Sequence, residues 1–375
     1  MGNAENNRRT FLGKAANAGA AAVVLGSTAS MAMSQKRNPD EPLRIGCMNV
    51  VSYSHLAGLW GPIINAREGE KDTPFTNMRI THCWDINYED AQNFAKQYRC
   101  TPVKNFDDML GKVDGIINGG YYNHPWNHII HEPYLEAGLP NLINRPFANS
   151  LEKSEQITSM AKKYNAPILV PSSHEHNDDI SRAKAWATGK KIICYNATNS
   201  FDDYPTHGIH GVYMVHKAIA EAGNPVVSVA YRTKSWYSPP GILTYEHENV
   251  DGNHFYGNLH QVSGSWGTVQ IHTSEAYGGE SFNIRTGTGY PFNKTNIWAP
   301  TIWAFQRMAM FGEMPQTYEQ IEHKTHVFLA GWKSVLENGG NPVKLADIPE
   351  NWESPAELPN HPNDNTVALF KKKFG

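Results

Sequence analysis

Apolar and polar positions change their period along this chain. Short apolar runs at 43–48, 78–85, 113–117, 142–143 and 168–170 read as strands. Between them, 88–97, 128–137 and 151–164 carry apolar residues at three- and four-residue spacing, which predicts helices, the second closed by Gly138. Strands alternating with helices predict an α/β fold, a Rossmann-like doubly wound parallel sheet with right-handed crossovers. After Val170 the texture changes. A helix over 178–187, a strand over 191–197 and a helix over 211–222 lead into runs rich in Tyr, Trp, Thr and Gly: VVSVAYRTKSWY, HQVSGSWGTVQIHT and the segment around Phe282-Asn283-Ile284. These predict a C-terminal α+β domain with an open, mostly antiparallel sheet. Helices over 317–337 close it, and a Pro- and Asn-rich tail from Pro342 wraps the surface.

The amino terminus departs from this globular texture. Asn7-Arg8-Arg9-Thr10-Phe11-Leu12 precedes a small, apolar stretch with no acidic residue from Asn6 to Arg37, which resembles a twin-arginine export signal. Its core, AANAGAAAVVLG, is short of the roughly 20 strongly apolar residues of a membrane span. The expected organisation is a signal peptide at 1–32, a linker at 33–41, a Rossmann-like domain at 42–165, a substrate domain at 166–340 and a surface tail at 341–375. Export would place the folded protein in the periplasm or at the cell surface. A formal net charge of −3, with no long Lys/Arg cluster, excludes an obvious nucleic-acid surface. Cys47, Cys83, Cys100 and Cys194 have no CxxC spacing and read as buried apolar residues rather than a disulfide framework.

The chemistry centres on Leu142-Ile143-Asn144-Arg145-Pro146, a strand running into Asn-Arg-Pro. With the flanking HEPYLEAGLPNLINRPFANSLEKSEQITSMAKKYNAPILV, it resembles the glucose-fructose oxidoreductase and inositol dehydrogenase (Gfo/Idh/MocA) family, over residues 42 to 340 and most closely from Thr81 to Val170. The resemblance implies a nicotinamide dinucleotide, a sugar substrate and an oligomer built on the second sheet. It also implies GxGxxG after the first strand, Glu-Lys-Pro at the strand end, and Asp-x-Gly-x-His-x-x-Asp. Here the first is Asn49-Val50-Val51-Ser52-Tyr53-Ser54, without a glycine. Arg145 stands where the lysine would be; it is always cationic and a poor acid or base. The third motif is Thr206-His207-Gly208-Ile209-His210-Gly211-Val212-Tyr213, keeping the glycine and His210 but neither acid. Asp85 occupies the place of the ribose-binding acid, a position where Asp also caps helices.

These departures point away from NAD(P) and toward an exported, NAD-independent enzyme. In Ser172-Ser173-His174-Glu175-His176, an extended stretch would point His174 and His176 the same way. With His207 and His210 they are candidate ligands of a divalent metal, zinc or manganese, or else separate polar residues lining a sugar cleft. His254 and Tyr256, in the run from Tyr245 to His260, are candidate bases on a substrate loop, or part of a solvated loop. The expected catalytic set is Arg145, His210, His174, Tyr256 and His254, acting on a sugar or acidic oligosaccharide. Arg145 would clamp a uronate carboxylate during lyase or metal-assisted hydrolytic chemistry. Two further readings stay open: an NAD(P)-dependent sugar oxidoreductase or NAD-using glycosidase, and a noncatalytic sugar-binding protein.

Overall fold

The structure is a computed structural model that describes residues 41–51, 54–69, 76–200, 203–238, 240–249, 251–262, 267–273, 279–285, 298–357 and 365–375. The expected export signal lies outside the described residues. In the first sheet, Leu43–Met48 (β1), Met78–Trp84 (β2), Thr101–Pro102 (β3), Gly115–Asn118 (β4), Asn141–Ile143 (β5) and Ile168–Leu169 (β6) all run parallel, in the order β3-β2-β1-β4-β5-β6. Both faces are covered, which is why these strands read as continuous apolar runs; Ile45, Cys47, Ile116, Ile117, Leu142 and Ile143 are all buried. The helices between them are Gly61–Ile64 (α1), Tyr88–Tyr98 (α2), Asn127–Ile130 (α3), Glu132–Glu136 (α4) and Leu151–Lys163 (α5). Side chains of Asn87 and Ser150 cap α2 and α5 by accepting from Glu89 N and Lys153 N. The helix expected over 128–137 is two short helices, because Pro133 in the first turn of α4 has no N–H with which to continue α3.

After β6, Asp178–Ala187 (α6), Ile192–Ser200 (β7) and Ile209–Ala218 (α7) lead into the second sheet. Its other strands are Val226–Thr233 (β8), Gly241–Glu248 (β9), His254–Val262 (β10), Thr268–Thr273 (β11), Ser281–Arg285 (β12) and Val343–Lys344 (β13), in the order β12-β11-β7-β10-β9-β8-β13. Each described pairing is antiparallel except that of β7 with β10. Ala299–Phe311 (α8), which no sequence pattern singled out, returns to the first sheet: Ile302, Phe305 and Met308 join the core formed by Ile45, Cys47 and Ile80. Tyr318–Glu337 (α9) begins with a capping box between Thr317 and Gln320. Within the C-terminal segment, Thr366–Phe374 (α10) buries Phe370, which stacks on Trp126 at 5.0 Å and meets the edge of Trp84. No helix among the described residues is long and apolar enough to cross a membrane. The four cysteines are free.

One glycine carries a measurable load. Gly257 on β10 faces Tyr195 on β7, and a Cβ there would lie 2.0 Å from the ring. The ring has no room to swing aside, because Tyr195 Oη donates to His247 Nε2 at 2.8 Å while His247 Nδ1 donates to Asn224 O at 2.7 Å. Gly257→Ala is therefore expected to cost about 1–3 kcal/mol through overpacking. Urea midpoints at unchanged m-value measure it; a loss of roughly 0.5 kcal/mol or less would mean that Tyr195 relaxes.

Candidate active site

The strand order of the first sheet reverses between β1 and β4, the switch point outside whose carboxyl strand ends open α/β sheets bind their ligands. Asn144 and Arg145 leave β5 beside it. Asn144 Nδ2 donates to Gly119 O at 2.6 Å, and Asn144 Oδ1 accepts from Arg145 N at 3.0 Å, which fixes the start of the motif. The Arg145–Pro146 peptide is cis. The Arg145 guanidinium is buried, 1% exposed, and lies 4.4 Å from the centre of the Tyr121 ring. Its Nη2 donates to His210 Nε2 at 2.9 Å and to His55 Nε2 at 3.3 Å, while Nε and Nη1 have no hydrogen-bond partner.

These bonds set the imidazole tautomers. Since His210 Nε2 accepts from Arg145, its proton sits on Nδ1 and points to Ser172 Oγ, 2.8 Å away. The Ser172 hydroxyl oxygen also accepts from His174 N at 3.2 Å. Burial first, and then the Arg145 charge, hold His55 and His210 well below the usual imidazole range and bring His174 down to about 4. All three are neutral at pH 7. His174 stacks on His210 with ring centres 5.4 Å apart, and His207 stands 6.4 Å from His210 on the partly exposed side. The carboxylate of Asp203 lies in the field of Arg145 but accepts from Thr206 N at 2.6 Å and from Thr206 Oγ1 at 2.7 Å.

Arg145, His174, His207 and His210 lie together, joined by His55, Tyr121, Ser172 and Asp203, which the sequence did not single out. The other candidates fall elsewhere. Residues 173–176 form a turn instead of an extended stretch, so His174 and His176 diverge. His176 faces the charges of Lys217, Lys324 and Glu221. His254 and Tyr256 lie on strand β10, not on a loop, and on its outer face; both are exposed and bond Glu246, while the alternate residues Phe255, Leu259 and Gln261 are buried. The expected zinc or manganese set does not form. Both nitrogens of His210 are engaged, and a metal ion beside it would face the Arg145 cation. Among the described residues no group of three or more His, Cys, Asp or Glu could hold a metal ion.

Asp85 ends β2 next to the loop that follows β1. Its Oδ2 accepts from Val50 N at 2.7 Å and Val51 N at 3.3 Å, its Oδ1 accepts from Asn87 N at 3.0 Å, and burial raises it to about 6. Asn49 adopts the left-handed φ of 49° that a glycine would otherwise supply, and the next two N–H groups converge on one negative oxygen. Close backbone approach has moved to the loop after β4, where a Cβ on Gly119 would fall 2.4 Å from Ser54 Oγ and one on Gly120 2.3 Å from Asn123 Oδ1. The left-handed turn at the start of the loop thus survives without a glycine, with the Asp85 carboxylate as the anion on its amides. These residues fit a dinucleotide at its ribose, where Asp85 Oδ1 keeps a second acceptor position. At the phosphates, the Asp85 carboxylate itself stands on the amides.

No protein-family profile and no curated protein sequence matches the chain. Solved structures do. A scyllo-inositol dehydrogenase from Lactobacillus casei with bound NAD(H) and scyllo-inositol is 14% identical with a TM-score of 0.62, over 82% of this chain and 100% of that one. A myo-inositol dehydrogenase from Lactobacillus casei in complex with NAD(H) and myo-inositol is 11% identical with a TM-score of 0.62, over 84% and 98%. GenD2 from gentamicin A biosynthesis, in complex with NAD, is 12% identical with a TM-score of 0.60, over 82% and 97%. These neighbours overturn the expectation of an NAD-independent lyase or hydrolase, and with it the reading that set NAD(P) aside in favour of a metal. The parallel sheet and the mixed, mostly antiparallel sheet together make an α/β fold that matches the Gfo/Idh/MocA dehydrogenases.

Proposed function

We propose that the chain is an NAD(P)-dependent oxidoreductase that oxidises a carbinol of a sugar or related polyol. The observation that supports this most is the placement of Asp85 at the end of β2 and of the Arg145–His210 pair beyond β5, around one switch-point crevice in a dehydrogenase fold. Asp85 would hold the cofactor ribose. A bound nicotinamide supplies the hydride acceptor, so oxidation of the carbinol to a carbonyl leaves the protein only the hydroxyl proton to remove.

That proton falls to His210. Arg145 stays cationic and cannot shuttle a proton, but it stabilises negative charge growing on the carbinol oxygen. Ser172 holds the His210 tautomer with its lone pair on Nε2; that lone pair accepts from Arg145 at 2.9 Å here and becomes the proton acceptor when Arg145 turns to the substrate. His210→Asn is expected to lower kcat by roughly 10²- to 10⁴-fold, the contribution of a positioned general base. The readout is absorbance of reduced nicotinamide formed from NAD+ or NADP+ with a panel of aldoses, cyclitols and sugar acids. Unchanged turnover in the variant would remove His210 from the mechanism. A wild-type protein that reduces neither dinucleotide with any of them would sink the proposal.

A further inference from the structure

We infer that the substrate is a monocarboxylate, a uronic or aldonic acid, whose carboxylate accepts from Arg145. This deepens the oxidoreductase reading and rests on it for the chemistry, but not for the binding. A guanidinium is always charged, and one that is 1% exposed needs a partner for that charge. Arg145 lacks one. No carboxylate of the described residues forms a salt bridge with it; Nε and Nη1 make no hydrogen bond; and the groups that Arg145 does reach, two neutral imidazoles and the Tyr121 hydroxyl, carry no charge to offset its own. Asp203, the carboxylate in its field, bonds the amide and hydroxyl of Thr206. The Tyr121 face offsets part of the charge, a weaker interaction than a carboxylate would provide.

Charge balance selects the class of anion. Asp203 already sets one negative charge in the field of Arg145, so a ligand that gives Nε and Nη1 their acceptors has to carry little charge of its own, at most one. A sugar phosphate would bring about −1.5 to −2 and leave an excess of negative charge beside Asp203. A neutral sugar would leave the guanidinium as it is. His207 and His210 are the partly exposed members of the site.

The test compares isosteres on the full-length wild-type protein. Calorimetric titration with glucuronate, galacturonate and gluconate, each against its neutral amide, reads the charge alone and needs neither turnover nor a dinucleotide. The acid is expected to bind roughly tenfold to a hundredfold more tightly than the amide, the worth of a hydrogen bond to a charged group. Arg145→Met should abolish the difference, and Arg145→Lys should retain part of it. Equal affinity for acid and amide, tighter binding of glucose 6-phosphate, or no binding of any acid would overturn the inference, whatever the variants do. Acid-selective binding without hydride transfer would uphold it and count against the oxidoreductase reading instead.

Discussion

Replacing Lys324 by methionine is expected to lower stability by about 3–5 kcal/mol, the cost of leaving one member of a buried ion pair uncompensated. Lys324 is fully buried on α9, with Nζ donating to Glu175 Oε1 at 3.0 Å, Glu175 Oε2 at 3.2 Å, Val170 O at 2.6 Å and Gln316 Oε1 at 2.5 Å. Glu175 accepts in turn from Ser172 N at 2.9 Å and Gln316 Nε2 at 3.1 Å. Without the ammonium, the carboxylate keeps its charge in a buried site, or takes up a proton and loses the strength of its bond to Ser172. The double variant Lys324→Met with Glu175→Gln removes both charges, so it should be more stable than Lys324→Met alone. Urea denaturation of the three proteins measures this. A loss under roughly 1 kcal/mol in the single variant would show that the pair contributes little. The consequence reaches the site, because Ser172 is the residue that holds His210 and His174.

The second large effect is acid sensitivity. His124, His131, His174 and His247 are each brought down to about 4, with burial the largest cause. Their bonds suit the neutral ring. His131 Nδ1 donates to Asn141 Oδ1 at 2.8 Å, and its Nε2 accepts from Asn118 Nδ2 at 2.9 Å, so a second ring proton would meet an N–H donor. Below the unfolded value near 6.5, the unfolded chain binds protons that the folded chain refuses. Stability is therefore fully present above pH ~6.5 and falls by about 1.4 kcal/mol per pH unit for each such histidine until the folded value near 4 is reached. Urea midpoints followed from pH ~7.5 down to ~5 should drop steeply, and His131→Gln, which carries no titrating ring, should flatten the slope. A midpoint that stays constant over that range would contradict the assignment of neutral buried rings.

The fold was legible because the strands of the first sheet bury both faces and helices α2, α5, α6 and α9 carry side-chain caps at their starts, both local properties. Helix α8 was not, since its partners lie on the first sheet, some 220 to 260 residues earlier in the chain. Arg145 and His210 were legible from their places beyond β5 and in the motif before α7. Their partnership was not, because Arg145 meets His55 and His210 across 90 and 65 residues and His210 meets Ser172 across 38, and no local pattern encodes such contacts. Two errors share a cause: the backbone between His174 and His176 turns where it was read as extended, and His254 and Tyr256 occupy a strand face where a loop was expected. The glycine-free loop misled most. Without glycines the turn is still made, because Asn49 supplies the left-handed residue, while the Val50 and Val51 amides donate to the Asp85 carboxylate.

Whether this crevice takes a nicotinamide dinucleotide is the point on which the functional account turns. Calorimetric titration of the full-length protein with NAD+ and NADP+, alongside the Asp85→Ala variant, tests it most directly. The account predicts saturable binding of at least one dinucleotide by the wild type and marked weakening in Asp85→Ala, whose ribose acceptor is gone. A correctly folded wild-type protein that binds neither dinucleotide would contradict it.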